Sequence, residues 1–146
     1  MKLKIIQESI QQALAAVDAL DAVAIVAEDL GDVLRSLQEN IAQQKCAILV
    51  KTPAFKATSK ASKIMVGTAT VEIVCIERVV ENRSSTDAVT AQDMAEIVAW
   101  HLNMLLLADV GTLVFTQLDS AMLDDHTLAY NVAFEVQTTL ANPLDN

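Results

Sequence analysis

From Leu128 to Leu140 the chain alternates without a break. Leu128, Tyr130, Val132, Phe134, Val136, Thr138 and Leu140 are interleaved with Ala129, Asn131, Ala133, Glu135, Gln137 and Thr139. Neighbouring side chains on a strand point to opposite faces, so a period of two this long predicts one extended strand with a buried face and a wetter one. Such a strand is unstable alone, and the remaining sequence must supply partners and a cover for its apolar face.

That cover is legible upstream. Over residues 2–18, Leu3, Ile6, Ile10, Ala13 or Leu14, and Val17 recur at three- and four-residue steps, with Lys4, Glu8, Gln11 and Gln12 opposite, which predicts an amphipathic helix. Val23 to Ala27 reads as a short buried strand. Asp29 to Gln44 reads as a second helix presenting Leu30, Val33, Leu34, Leu37 and Ile41, with Asp29 as N-cap and Asp32 complementing the helix dipole. Cys46 to Val50 is a strand ended by Thr52-Pro53, and the small, polar, basic stretch Lys56 to Lys63 reads as a mobile loop. Ile64 to about Asn82 is long enough for an extended strand. It has Val71, Ile73 and Cys75 on one side and Thr70, Glu72, Val74, Ile76 and Arg78 on the other. Both sides are partly apolar, which places it inside a sheet or against a neighbouring subunit.

Residues 82–87 read as a turn. Thr90 and Asp93 form a capping box with a shortened acid, opening a helix to about Leu107 whose apolar face is Met94, Ile97, Val98, His101 or Leu102, and Leu105. Gly111 is its expected left-handed stop. Leu113 to Leu118 is the next strand, and residues 119–127 connect it to the last one. The expected architecture is α+β: a single domain over residues 1–146, with a mainly antiparallel sheet, helices packed on one face and a long C-terminal β-hairpin.

Composition narrows the function. A chain of 146 residues buries roughly 68–70% of its unfolded surface without a disulfide or metal staple. The core is aliphatic, since the aromatics are only Phe55, Trp100, Phe115, Tyr130 and Phe134, too few for stacking on bases. A net charge of −9 opposes a phosphate backbone, so no direct sequence-specific nucleic-acid binding is expected. Cys46 and Cys75 lie in apolar runs and read as free buried thiols. The N-terminus turns polar after Ile6, too early for a signal-peptide core, and no stretch approaches 18 uncharged apolar residues, so neither export nor a membrane partner is expected.

No catalytic, cofactor or metal constellation emerges. His101 lacks an HExxH context, and Asp124-Asp125-His126 are consecutive residues of a turn that cannot easily converge on one ion. Gly31, Gly67 and Gly111 are too dispersed to cradle a phosphate. The one local concentration of positive charge is Lys51, Lys56, Lys60 and Lys63, read either as an exposed loop or as a contact with an acidic partner surface, such as the next copy of the chain.

The order of elements resembles the tail terminator or tail-completion (minor tail) proteins of bacteriophages, including prophage-derived members. The resemblance is carried by KLKIIQESIQQAL at the start, by TATVEIVCIERVVENRS followed by TAQDMAEIVAWHLNML, and by LAYNVAFEVQTTL at the end. It implies a structural protein without enzymatic activity or cofactor. It also implies a homo-oligomer, a hexameric ring, that ends tail-tube growth and docks to other tail or connector proteins, assembling in the cytoplasm and residing in the virion tail. The residues alone leave a different class open: a small non-catalytic binding or adaptor domain with an apolar pocket or a peptide-binding sheet edge.

Overall fold

The computed structural model describes residues 1–28, 45–60, 63–83, 88–142 and 144. The expected helix Asp29–Gln44, with its Asp29 cap, lies outside these residues, as does most of the expected turn after Asn82. The helices are α1 (Lys2–Ala15), a single turn α2 (Val79–Asn82) and α3 (Ala91–Leu102). The strands are β1 (Ala24–Ala27), β2 (Cys46–Val50), β3 (Ala54–Lys60), β4 (Ile64–Arg78), β5 (Leu106–Leu107), β6 (Gly111–Thr112), β7 (Val114–Met122) and β8 (Thr127–Ala141).

The main sheet runs β1-β2-β4-β8-β7, with β3 on the same side of β4 as β2. Among the described residues only β1 and β2 pair in parallel. The fold is therefore α+β with a mainly antiparallel sheet and a C-terminal hairpin, β7–β8. The two long strands form its spine: β4 and β8 pair from Ile64↔Ala141 to Arg78↔Thr127. Register follows the alternation, because a one-residue slip would turn Val132, Phe134 and Val136 to the wrong face. That inner face, with Ile48, Val71 and Ile73, is covered by Ile6, Ile10 and Leu14 of α1 and by Met94, Val98 and Leu102 of α3, all fully buried or nearly so. On the other face Ala47, Leu49, Ile76 and Ala129 are buried as well. This explains why β4 is apolar on both sides: it is an interior strand.

Several boundaries differ from the sequence reading. The basic stretch 56–63 is not a loop throughout: up to Lys60 it is β3, paired with β4 from Ala54↔Thr70 to Lys60↔Met65. The cause is non-local. Strand β2 pairs only with residues 73–77 of β4, so the rest of that long strand would present unpaired backbone groups to water. Lys51 N–H donates to the Glu72 carbonyl at 3.0 Å and carries the ladder past Pro53, which has no donor. Strand β4 stops at Arg78, where α2 begins.

Thr90 and Asp93 make both bonds of the capping box, at 3.1 and 3.2 Å. Helix α3 ends at Leu102 rather than near Leu107, with Met104 left-handed (φ 66°). Gly111 is not its stop. It sits in β6 at φ 151°, where a Cβ would lie 2.6 Å from the Gln137 carbonyl oxygen. Among the described residues no helix is long and apolar enough to cross a membrane.

Candidate functional site

Of the four lysines, Lys56 and Lys60 lie on β3, Lys51 precedes that strand and Lys63 immediately precedes β4. Lys51 and Lys60 bracket nine residue steps of nearly continuous extended chain, roughly 30 Å at about 3.3 Å per residue. Lys51 Nζ lies 3.0 Å from Glu72 Oε2, and this bond is the main reason the Glu72 carboxyl titrates below its ordinary value. Lys56 is exposed on β3. Lys63 immediately precedes β4, and its carbonyl accepts from Asn142 N–H at 3.3 Å.

The other polar candidates are engaged locally. Asp124 Oδ1 accepts from His126 N–H at 2.7 Å and Oδ2 accepts from the Thr127 hydroxyl at 3.3 Å, closing the β7–β8 turn. The His126 bond, foremost among these, holds the Asp124 carboxyl below the usual aspartate range. His101 is exposed on α3. Cys46 and Cys75 are both buried, and burial pushes the Cys75 thiol up to about 12. Among the described residues no group of three or more His, Cys, Asp or Glu could hold a metal ion.

Sequence reasoning missed Glu77, whose side chain is fully buried. Its parity was the available signal, because Val71, Ile73 and Cys75 point inward and residue 77 follows them. Oε2 accepts from Asn82 Nδ2 at 2.7 Å and Arg83 Nε at 3.2 Å; Oε1 accepts from Arg83 Nη2 at 3.2 Å and Ala91 N–H at 3.0 Å. Burial is the largest single influence on this carboxyl and pushes its pKa up. The bonds from Arg83, Asn82 and Ala91 and the Arg83 charge together outweigh it and hold the group below its ordinary value. A carboxylate at the first N–H of α3 also meets the positive end of the helix dipole. Glu77 thus ties the centre of the sheet to the start of α3.

Helix α3 carries two stripes. Ala91, Met94, Ala95, Val98 and Leu102 face the core. Glu96, Ala99, Trp100 and Asn103 recur at i, i+3, i+4 and i+7, and with Phe115 and Leu118 of β7 they line an open groove of about 300 Å³. The Phe115 ring is set edge-on against Phe134, with centroids 6.0 Å apart. Asn103 Oδ1 accepts from Phe115 N–H at 3.0 Å, pinning the helix end to the strand. Trp100 is 83% exposed, and Met104 and Leu106 beyond it are exposed too. Covering an indole of ~150 Å² or more is worth about 4 kcal/mol at ~25 cal/mol per Å². Trp100 thus leaves most of its indole in water at the rim of an apolar groove.

A second apolar surface is convex. At the start of β4, Ile64, Met65 and Val66 are successive residues, each 40–47% exposed, so the strand is open on both faces. With the ends of β3 and β8 beside it, this segment forms a projecting three-stranded arm. At its base, β3 crosses so close to Gly67 that a Cβ there would lie 2.2 Å from the Lys56 carbonyl oxygen. A larger depression of about 560 Å³ lies between α1 and residues 27–28 and 52–53. Its polar groups are already used: Gln7 Nε2 donates to the Glu28 and Val50 carbonyls at 2.8 and 2.9 Å, and Glu28 accepts from Thr52.

No protein-family model matches the sequence, and no curated protein matches it either. At the level of structure the chain is similar to a chain from the virion of a native gene transfer agent particle, with a TM-score of 0.63. Identity is 13%, and the alignment covers 92% of this chain and 94% of that one. The two share a fold over nearly their whole lengths.

Proposed function

We propose that this chain is a structural protein of a phage-like particle that acts at the tail or head–tail junction. Copies close into a ring that ends tail-tube growth and offers a docking face to the connector, without making or breaking covalent bonds. The observation that carries this reading is the fold match to a virion chain, which spans 92% of this chain and 94% of that one. Two features of the molecule agree with it. It presents a concave and a convex apolar surface, and its buried carboxylate is spent on holding α3 to the sheet.

Light scattering after size exclusion, with negative-stain imaging, tests the proposal. The expected result is a discrete ring formed by the chain alone or on addition of tube protein. A monomer at high micromolar concentration under both conditions would refute it. The groove beside the open margin of β7 gives some support to a second reading, a domain that binds a peptide along a sheet edge. In that case the chain would stay monomeric and capture an extended peptide.

A further inference from the structure

We propose that the groove between α3 and β7 receives the β3–β4 arm of a second copy of this chain, so that each copy is a socket to one neighbour and a knob to the next. This rests on the ring assembly proposed above and names the surfaces that would form it.

Charge makes a second copy the fitting occupant. Through Arg83 the chain holds ten Lys or Arg and ten Asp or Glu; after Arg83 it holds nine Asp or Glu and no Lys or Arg. The whole net charge of −9 therefore belongs to the second half, which builds α3, β7 and the groove. Residues 54–71, which build β3 and the arm, contain Lys56, Lys60 and Lys63 and no Asp or Glu, while Lys51 before them is paired with Glu72. Two copies approaching at random repel each other, but arm against groove is attractive: Glu96 sits in the groove and Asp119 along β7, while the exposed Lys56 flanks the arm.

Shape and position agree. At about 300 Å³ the groove lies at the small end of the range that takes small molecules, and it is open along its length, which fits a few aliphatic side chains on a projecting strand. The arm cannot reach its own groove. Along β8 the arm's partners, residues 139–141, lie about 20 Å from Phe134 at ~3.3 Å per residue, and β4 and β7 flank β8 on opposite sides. Two different patches that complement each other make a heterologous contact, which closes into a ring when the rotation between copies permits. Among the described residues both β3 and β7 have one open edge, so backbone groups are also available at the junction.

The test uses two variants of exposed residues, Trp100→Glu in the groove and Met65→Asp on the arm, each checked by circular dichroism for a native fold. Each is expected to weaken self-association at least ~30-fold, the size of an interface hot spot. Mixed one to one, they are expected to form a dimer and nothing larger, because only one intact arm and one intact groove remain. In that mixture the Trp100 of the Met65→Asp copy should shift its emission to the blue. High salt should weaken the wild-type assembly. If the wild type forms rings but either variant assembles equally well, or the mixture yields no dimer, this pairing of surfaces is wrong and the ring reading survives. A wild type that never assembles would overturn both.

Discussion

Replacing Glu77 with alanine removes an acceptor that four donor contacts share, and the structure sets the size of the effect. Two of the donors, Asn82 Nδ2 and the Ala91 N–H, belong to residues 7% and 0% exposed. Water cannot readily replace the lost carboxylate there, so each unsatisfied donor costs about 1–3 kcal/mol. Arg83 differs: its side chain is 47% exposed, so its share is screened and is worth about 1 kcal/mol or less. Together these give roughly 3–5 kcal/mol, or a fall in Tm of roughly 10–20 °C for a domain of this size. Glutamine keeps one acceptor and loses the charge, so Glu77→Gln should cost about half as much.

The pH dependence has a definite sign. The folded carboxyl titrates below its usual 4.5, so the stability it contributes is fully present above that value and drains away as pH falls through the lower folded pKa. Urea unfolding of wild type and both variants at neutral pH and through the acid range measures this. The gap between wild type and Glu77→Gln should narrow on acidification. A Glu77→Ala protein within about 1 kcal/mol of wild type at neutral pH, or a gap that does not change with pH, would refute the reasoning.

Gly67→Ala places a methyl group against the Lys56 carbonyl, so β3 must lift away; a loss of ~1–3 kcal/mol by urea unfolding is expected, with the arm the first region to exchange its amide protons. In the native protein Cys75 should resist thiol reagents at mildly alkaline pH, because burial raises its pKa to about 12, and should react once the protein unfolds in denaturant. The Lys51–Glu72 pair is about 40% exposed on both sides, so a double-mutant cycle should give a coupling below ~1 kcal/mol that shrinks further in salt.

Much of the architecture was legible because it is written in local pattern. The alternation in β8, the three- and four-residue steps of α1 and the Thr90–Asp93 capping box are each decided by residues close together in sequence. Strand β3 was not legible for the opposite reason: Ala57, Thr58 and Ser59 carry little strand signal, and the unpaired margin of β4 recruits them. The end of α3 is similarly set from outside, by Phe115 N–H meeting Asn103 Oδ1 and by the Met104 N–H reaching the Leu113 carbonyl at 2.8 Å. Of the lysines read as one loop, Lys56 and Lys60 proved to lie on β3. The groove, the arm and the buried Glu77 were not identified from sequence, although the offset stripe containing Trp100 and the inward parity of residue 77 were both there to be read.

Taken alone, the amino-acid order determined where most of the strands and helices lie, β3 excepted, and which face each turns inward, because side-chain periodicity is a property of neighbouring residues. Only the tertiary structure decided what stands next to what: that a glutamate lies under a helix end, that a tryptophan borders a groove, and that the exposed start of β4 pairs with β8 well away from that groove. Those juxtapositions depend on pairing between distant strands, where hydrogen-bond satisfaction and burial are settled by the whole sheet at once.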